Sequence, residues 1–279
     1  MPQGTIKMNK PPPTPIVAPP GKSTKYKGAK HTILVMSGKG GVGKSTVAVN
    51  LAVTMASHGL KVGLIDADIN GPDDPKMLGV SNEKVDADDR GIIPVKTRYG
   101  VDVISMGFLL PDEDTAVIWR GALRHKALQQ FLEEVFWDDK DYVILDMPPG
   151  TGDEALTIAQ LVPDADGIII VITPQEVALI DAKKAINFAG QLKLPVIGLI
   201  ENMSGLVCPH CGETINVFKT GGGEEAAKRY DVRFLGRIPI VPQIVTDADN
   251  GFAAVDNNEN LKDIFSKITE SIISNQKKQ

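Results

Sequence analysis

The run Gly38-Lys39-Gly40-Gly41-Val42-Gly43-Lys44-Ser45-Thr46 has the residue types and spacing to cradle phosphate. It fits G-x-x-x-x-G-K-[ST], in which a glycine-rich backbone turns successive N–H groups toward phosphate oxygens at a helix N-terminus. Lys44 then reaches the β- and γ-phosphates, and the Ser45 hydroxyl ligates Mg²⁺. The pattern requires a strand before it and a helix after it. Apolar Thr32-Ile33-Leu34-Val35-Met36 precedes it, and the helical pattern Val47-Ala48-Val49-Asn50-Leu51-Ala52 follows. These residues predict a nucleotide-binding protein.

Two acidic stretches close apolar runs and so belong near the phosphates. They are Leu64-Ile65-Asp66-Ala67-Asp68 and Val143-Ile144-Leu145-Asp146-Met147-Pro148-Pro149-Gly150-Thr151-Gly152-Asp153. An aspartate after an apolar strand holds Mg²⁺ from its second side, a role that falls to Asp146. Gly150, in a loop, can offer a free N–H to the γ-phosphate and sense its loss. Asp68 is placed to orient the attacking water.

Cys208 and Cys211 are the 2 cysteines of the 279-residue chain. That count excludes a disulfide framework and leaves a metal half-site, a redox pair or an incidental pair. Two thiolates cannot fill a tetrahedral Zn²⁺ site or hold a 4Fe–4S cluster. Either other groups complete the site, or a second subunit supplies the same pair across a twofold axis. Spacing alone leaves zinc and iron–sulfur open. A thioredoxin-like pair would open a helix after a strand, and this pair does not. His210, between the two, reads as an exposed loop residue.

Short apolar runs alternate with helical periods from His31 onward. Strands are expected at His31–Ser37, Lys61–Asp66, Asp102–Met106, Tyr142–Asp146, Gly167–Thr173, Val196–Ile200 and Phe234–Ile238. They are apolar throughout, as parallel strands buried on both faces should be. Helices are expected at Lys44–Ser57, Ala122–Val135, Glu154–Leu161, Val177–Gln191 and Glu224–Tyr230. Repeated βα units predict an α/β fold, a three-layer, doubly wound, mostly parallel sheet with helices on both faces. Ligand should sit at the carboxyl ends of its strands.

Residues 1–30 carry 7 prolines, 6 lysines and no acid, and read as a disordered tail. Residues 31–279 read as one P-loop ATPase domain that includes a CxxC loop at about 203–219. A last helix near Leu261–Ser274 aligns Leu261, Ile264, Phe265, Ile268 and Ile272 on one face. Its polar side mixes Asp263, Glu270 and Lys267, which favours core packing over a membrane surface. Outside the tail, 24 basic residues face 35 acidic ones, which argues against a nucleic-acid groove. No apolar run nears the ~18 residues of a membrane helix, and no signal core is present. The expected location is cytoplasmic, with neither membrane nor nucleic acid as partner.

The lysine at the second loop position, Lys39, makes this a deviant Walker A motif. It resembles that of the SIMIBI ATPases, which include MinD, ParA, the arsenite-pump ATPase and the nitrogenase iron protein. The resemblance implies a face-to-face homodimer in which Lys39 crosses to the partner's phosphates. It also implies that Asp68 is the switch residue that positions water and Asp66 the strand-end residue near Mg²⁺.

Within that class, Asp146-Met147-Pro148-Pro149-Gly150-Thr151-Gly152-Asp153, Trp119-Arg120-Gly121, Glu201-Asn202-Met203-Ser204, Cys208-Pro209-His210-Cys211-Gly212 and Gly221-Gly222-Gly223 resemble the Mrp/ApbC family of iron–sulfur cluster carriers. The resemblance runs from about residue 31 to 250. It implies a slowly hydrolysing ATPase homodimer whose Cys208 and Cys211 bind a bridging 4Fe–4S cluster, with apo iron–sulfur proteins as recipients. It further implies that Asn202 contacts adenine and that the chain near Pro239 closes over the base. The chain departs from the family at Asn70 and Asp73, where tyrosine and serine are usual, and the added carboxylate should alter hydrolysis or Mg²⁺ affinity. It also lacks the N-terminal four-cysteine domain of eukaryotic scaffold relatives and the small N-terminal domain of many bacterial ones. Two other functions fit fewer features: a MinD/ParA-like positioning ATPase, and a zinc-stapled dimeric regulator.

Overall fold

The computed structural model describes residues 29–69, 71–109, 121–175, 177–208, 210–218 and 220–276. Residues 1–28, Asn70, Trp119, Arg120 and Pro209 lie outside the described residues, and with them most of the expected tail. Lys30, counted in that tail, is instead tied down: its N–H donates to the Lys140 carbonyl and its ammonium pairs with Asp141 at 2.9 Å.

In chain order, β1 (His31–Met36) leads through the glycine loop into α1 (Lys44–Ser57), then β2 (Val62–Asp66) and the short α2 (Asp74–Met77). A small hairpin of β3 (Asp86–Asp88) and β4 (Gly91–Ile93) precedes β5 (Val95–Lys96) and β6 (Val101–Ser105). Next come α3 (Gly121–Glu134), β7 (Tyr142–Asp146), α4 (Asp153–Leu161), β8 (Gly167–Ile172), α5 (Val177–Gln191) and β9 (Val196–Glu201). A second hairpin, β10 (Leu206–Val207) with β11 (Thr214–Ile215), is followed by α6 (Gly222–Arg229) and β12 (Phe234–Arg237). The last helices are α7 (Gln243–Asp249), α8 (Ala254–Asn257) and α9 (Glu259–Gln276).

The main sheet has 8 strands in the order β12-β9-β8-β1-β7-β2-β6-β5. All seven strands expected from the sequence lie in it and pair in parallel; the eighth, β5, adds an antiparallel edge. β1, β2, β7 and β8 are apolar because both sheet faces are covered. One face buries Leu34, Leu145, Phe131, Ile158 and Ala185 beneath helices α3 to α6. The other buries Val35, Leu51, Ile144, Phe265 and Ile268 beneath α1 and α9. Leu261, Phe265, Ile268 and Ile272 of α9 are all core residues, so that helix packs inward. No helix among the described residues is long and apolar enough to cross a membrane.

Strand register places the site. Asp66 ends β2 and is the register partner of Asp146, which ends β7. Neighbouring strands lie about 4.8 Å apart, so the two carboxylates must meet at the carboxyl edge of the sheet. The glycine loop leaves the adjacent strand β1 at that same edge.

Candidate functional site

Gly41 and Gly43 have φ of 77° and 79°, the left-handed region in which glycine is unstrained. These turns fold the loop around its own backbone and point α1 at it, while the Ser37 hydroxyl donates to the Lys39 carbonyl at 2.7 Å. Lys44 and Ser45 open α1, and both reach one oxygen of Asp146. The Lys44 ammonium donates to Asp146 Oδ2 at 2.7 Å, and Ser45 Oγ donates to it at 2.6 Å. Gly38, Gly40, Val42 and Thr46 complete the loop, as its pattern requires.

The second acidic stretch is layered behind this pair. Asp66 accepts from Ser105 Oγ at 2.8 Å and, on its other oxygen, from the Asp68 N–H at 3.1 Å. Burial, then the neighbouring charge of Asp146, pushes the Asp66 carboxyl up to about 8. Burial likewise raises Asp146, against the pull of Lys44. For Lys44, burial is the largest influence and works against the charge. The charge and hydrogen bond of Asp146, with the charges of Asp74 and Asp66, together outweigh it and hold the ammonium above its ordinary value.

The structure adds a second acid to the reading of the doublet after Pro72. Asp73, singled out in the sequence as the added carboxylate, is exposed, whereas Asp74 is fully buried. One oxygen each of Asp66, Asp74 and Asp146 lie within 4.8 Å of one another. Asp74 begins α2, and the one-residue difference along that turn decides which carboxylate faces the site.

Two further expectations meet a different geometry. Gly150 has the expected left-handed φ of 83°, but its N–H is not free: it donates to the Ser37 carbonyl at 3.1 Å. Lys39 pairs within its own chain, to Asp181 of α5 at 3.1 Å. Asp181 escaped sequence reading because a polar residue in a helical pattern carries no sign of its partner.

Asn202, immediately after β9, lies against the loop and donates from Nδ2 to the Val42 carbonyl at 2.8 Å. A Cβ at Gly43 would stand 2.2 Å from that nitrogen. Gly43→Ala should therefore displace Asn202 and strain the left-handed turn, at about 1–3 kcal/mol. The expected result is a thermal midpoint lower by roughly 2–10 °C and weaker nucleotide binding, read by calorimetry. Pro239 lies on the neighbouring segment, where the Ile238 N–H donates to the Glu201 carbonyl and the Ser204 N–H to the Ile238 carbonyl.

Six residues beyond Asn202, the chain reaches the cysteines. Cys208 and Cys211 are free thiols in the loop joining β10 and β11. The loop is closed by the Cys208 N–H to the Glu213 carbonyl and the Gly212 N–H to the Cys208 carbonyl, each at 2.9 Å. Backbone N–H groups of Cys211 and His210 approach the Cys208 sulfur and hold its thiol below the ordinary range. Cys208 is half-buried, Cys211 and His210 are exposed, and exposed Val207, Ile215 and Val217 flank them.

The sequence pattern of one protein family, described as NUBPL iron-transfer P-loop NTPase, matches residues 28–273. The chain belongs to that family. It is 51% identical over 244 residues to an iron-sulfur cluster carrier protein of Methanocaldococcus jannaschii, covering 88% of this chain and 84% of the relative. It is 46% identical over 229 residues to the cytosolic Fe-S cluster assembly factor CFD1 of Saccharomyces cerevisiae, covering 80% and 78%. A nucleotide-binding protein from Archaeoglobus fulgidus, solved in complex with ADP, superposes with a TM-score of 0.73 at 41% identity, covering 82% of this chain and 89% of that one. MinD from Pyrococcus horikoshii, solved with Mg-ADP, shares the fold at a TM-score of 0.65 and 22% identity, over 87% and 95%.

One more group carried no signal in the sequence. Glu201 is fully buried and accepts from Ser204 Oγ and from the N–H groups of Gly221 and Gly223. It thus pins the glycines that open α6 to the strand end carrying Asn202. A Glu beside the quoted Asn202 was visible, but nothing in the sequence tells that its carboxylate turns inward.

Proposed function

We propose that the chain is an ATP-binding and -hydrolysing homodimer that accepts a bridging 4Fe–4S cluster at Cys208 and Cys211 and delivers it to apo iron–sulfur proteins. One observation carries the reading. The cysteine loop is exposed, flanked by apolar side chains, and joined by continuous backbone hydrogen bonds to the strand end that grips the phosphate loop. An exposed pair of thiols amid Val207, Ile215 and Val217 suits a face that meets a second copy, since four thiolates then converge. Relatives named as cluster carriers and assembly factors support the cargo.

Each site residue has a part in this account. Lys44 and the N–H groups of the loop would hold the phosphates, and Asp68 would orient water. Mg²⁺ fits the donor set: Ser45 and Asp66 each approach Asp146, and Asp146 Oδ1 is a buried oxygen without a hydrogen-bond partner among the described residues. Bound there with ATP, it would neutralise charge developing on the phosphates. Lys44 shares Asp146 with Ser45, so its ammonium is free to turn toward phosphates once a cation takes that carboxylate. Lys39 reaches the partner's phosphates only by leaving Asp181, and Gly150 meets a γ-phosphate only by releasing Ser37. Both contacts therefore separate a nucleotide-free arrangement from an ATP-bound one.

Asn202 links nucleotide to cargo. On one side it holds the Val42 carbonyl of the phosphate loop; on the other, Gly205 and Leu206 pair with Ile240 and lead into the cysteine hairpin. Asn202→Ala should leave the buried carbonyl without its donor, costing about 1–3 kcal/mol. Cluster transfer to an apo 4Fe–4S acceptor should then proceed at the same rate with ATP as with ADP, whereas the wild type should distinguish them. Transfer by the wild type that ignores nucleotide altogether would remove the switch from the account.

A further inference from the structure

Asp74 is wholly buried, yet among the described residues neither of its carboxylate oxygens has a hydrogen-bond partner, and Asp146 Oδ1 is in the same condition. Buried carboxylate oxygens without donors are costly, because water is lost and nothing replaces it. With all three groups ionised, the cluster would carry more negative charge than one ammonium balances. Asp66, Asp74 and Asp146 bring three carboxylates together, and Lys44 is the ammonium that joins them, through Asp146. One divalent cation would supply the missing charge.

The geometry suits such an ion. One oxygen of each carboxylate lies within 4.8 Å of the other two. Two metal–oxygen bonds of about 2.0–2.5 Å placed opposite each other span roughly 4–5 Å. The donors are all hard oxygens and are fixed by separate elements: Asp66 by β2, Asp146 by β7 and Asp74 by the start of α2. Asp66 is further steered by Ser105 and the Asp68 N–H, while the unpartnered oxygens of Asp74 and Asp146 remain for the metal.

We propose that Asp66, Asp74 and Asp146 form a divalent-cation site that fills in the absence of nucleotide, with Asp74 as a direct ligand. Cargo at Cys208 and Cys211 plays no part in this site. A resident cation competes with the Lys44 ammonium for the charge of Asp146 and loosens its hold there, readying it for phosphate. Cation and nucleotide then raise each other's affinity by the same factor.

The test uses the full chain, stripped of nucleotide, with Mn²⁺ as probe and the free ion followed by electron paramagnetic resonance. The expected result is one Mn²⁺ bound per chain, displaced by Mg²⁺, unchanged in Cys208→Ser/Cys211→Ser and weakened at least tenfold in Asp74→Asn. Mg²⁺ should also raise the wild-type thermal midpoint without nucleotide, a readout that needs no variant. Mn²⁺ binding only when nucleotide is present would overturn the proposal. So would equal binding by wild type and Asp74→Asn, or a wild-type melting curve indifferent to Mg²⁺, which would mark Asp74 as a carboxyl kept neutral by a proton. Loss of cluster loading with Mn²⁺ binding intact would count against the carrier reading alone.

Discussion

Lys44→Ala is expected to weaken ATP binding by at least roughly 10²-fold and to destabilise the nucleotide-free protein as well. The first effect follows from two charge-assisted hydrogen bonds to phosphate, at about 1.5–3 kcal/mol each. The second comes from the cluster itself. Lys44 is 7% exposed and its ammonium sits 2.7 Å from a fully buried carboxylate. Breaking a buried pair by removing one partner costs about 3–5 kcal/mol, because the surviving charge is left without compensation. The carboxylates recover part of this by taking up protons, so the loss in stability should be smaller at pH 5 than at pH 8. Calorimetric ATP titration and urea unfolding at the two pH values measure both effects. Unchanged ATP affinity would detach the loop from nucleotide binding.

Cys208→Ala/Cys211→Ala is expected to abolish cluster loading while leaving fold stability within about 0.5 kcal/mol of wild type. The contrast follows from where the thiols stand: Cys211 is exposed, Cys208 is half-buried, and both are free. Neither fills a core position, so their removal opens no cavity. The single variants are informative too. With one cysteine left per chain, a dimer offers two thiolates in place of four, and any cluster it takes up should be lost far faster. Absorbance near the cluster's charge-transfer band, followed after chelator is added, reads that loss. Cluster uptake by the double variant at the wild-type level would place the cargo elsewhere.

The parts of this architecture that were legible in the sequence are those governed by local pattern. β1, β7 and β8 are uninterrupted apolar runs, and α1 begins at the lysine of a phosphate loop and ends in a turn that the chain spells out. At that end Gly59 has a φ of 83°, and Leu60 and Gly59 return their N–H groups to Met55 and Ala56. β5 is 2 residues long, and β3 is an exposed Asp-Ala-Asp triplet. Such segments have no room for an alternation to show, and register with a neighbour makes them strands. The site divides along the same line. Asp66 and Asp146 were legible because each closes an apolar strand. Asp74 was not, since Asp73-Asp74-Pro75 reads equally well with either acid facing water. Its burial is set by how α2 docks beside β6, a tertiary contact with no local signature. Lys39 with Asp181, and Gly150 with Ser37, likewise join segments far apart in the chain, and no spacing rule brings them together.

Native mass spectrometry of the anaerobically reconstituted protein, with iron, sulfide and zinc assayed on the same sample, tests the central claim most directly. The account predicts a dimer carrying about four irons and four sulfides, and a cluster-free species from Cys208→Ala/Cys211→Ala. A dimer holding about one zinc, with no sulfide and no uptake of iron, would contradict it and leave the cysteine hairpin as a structural staple.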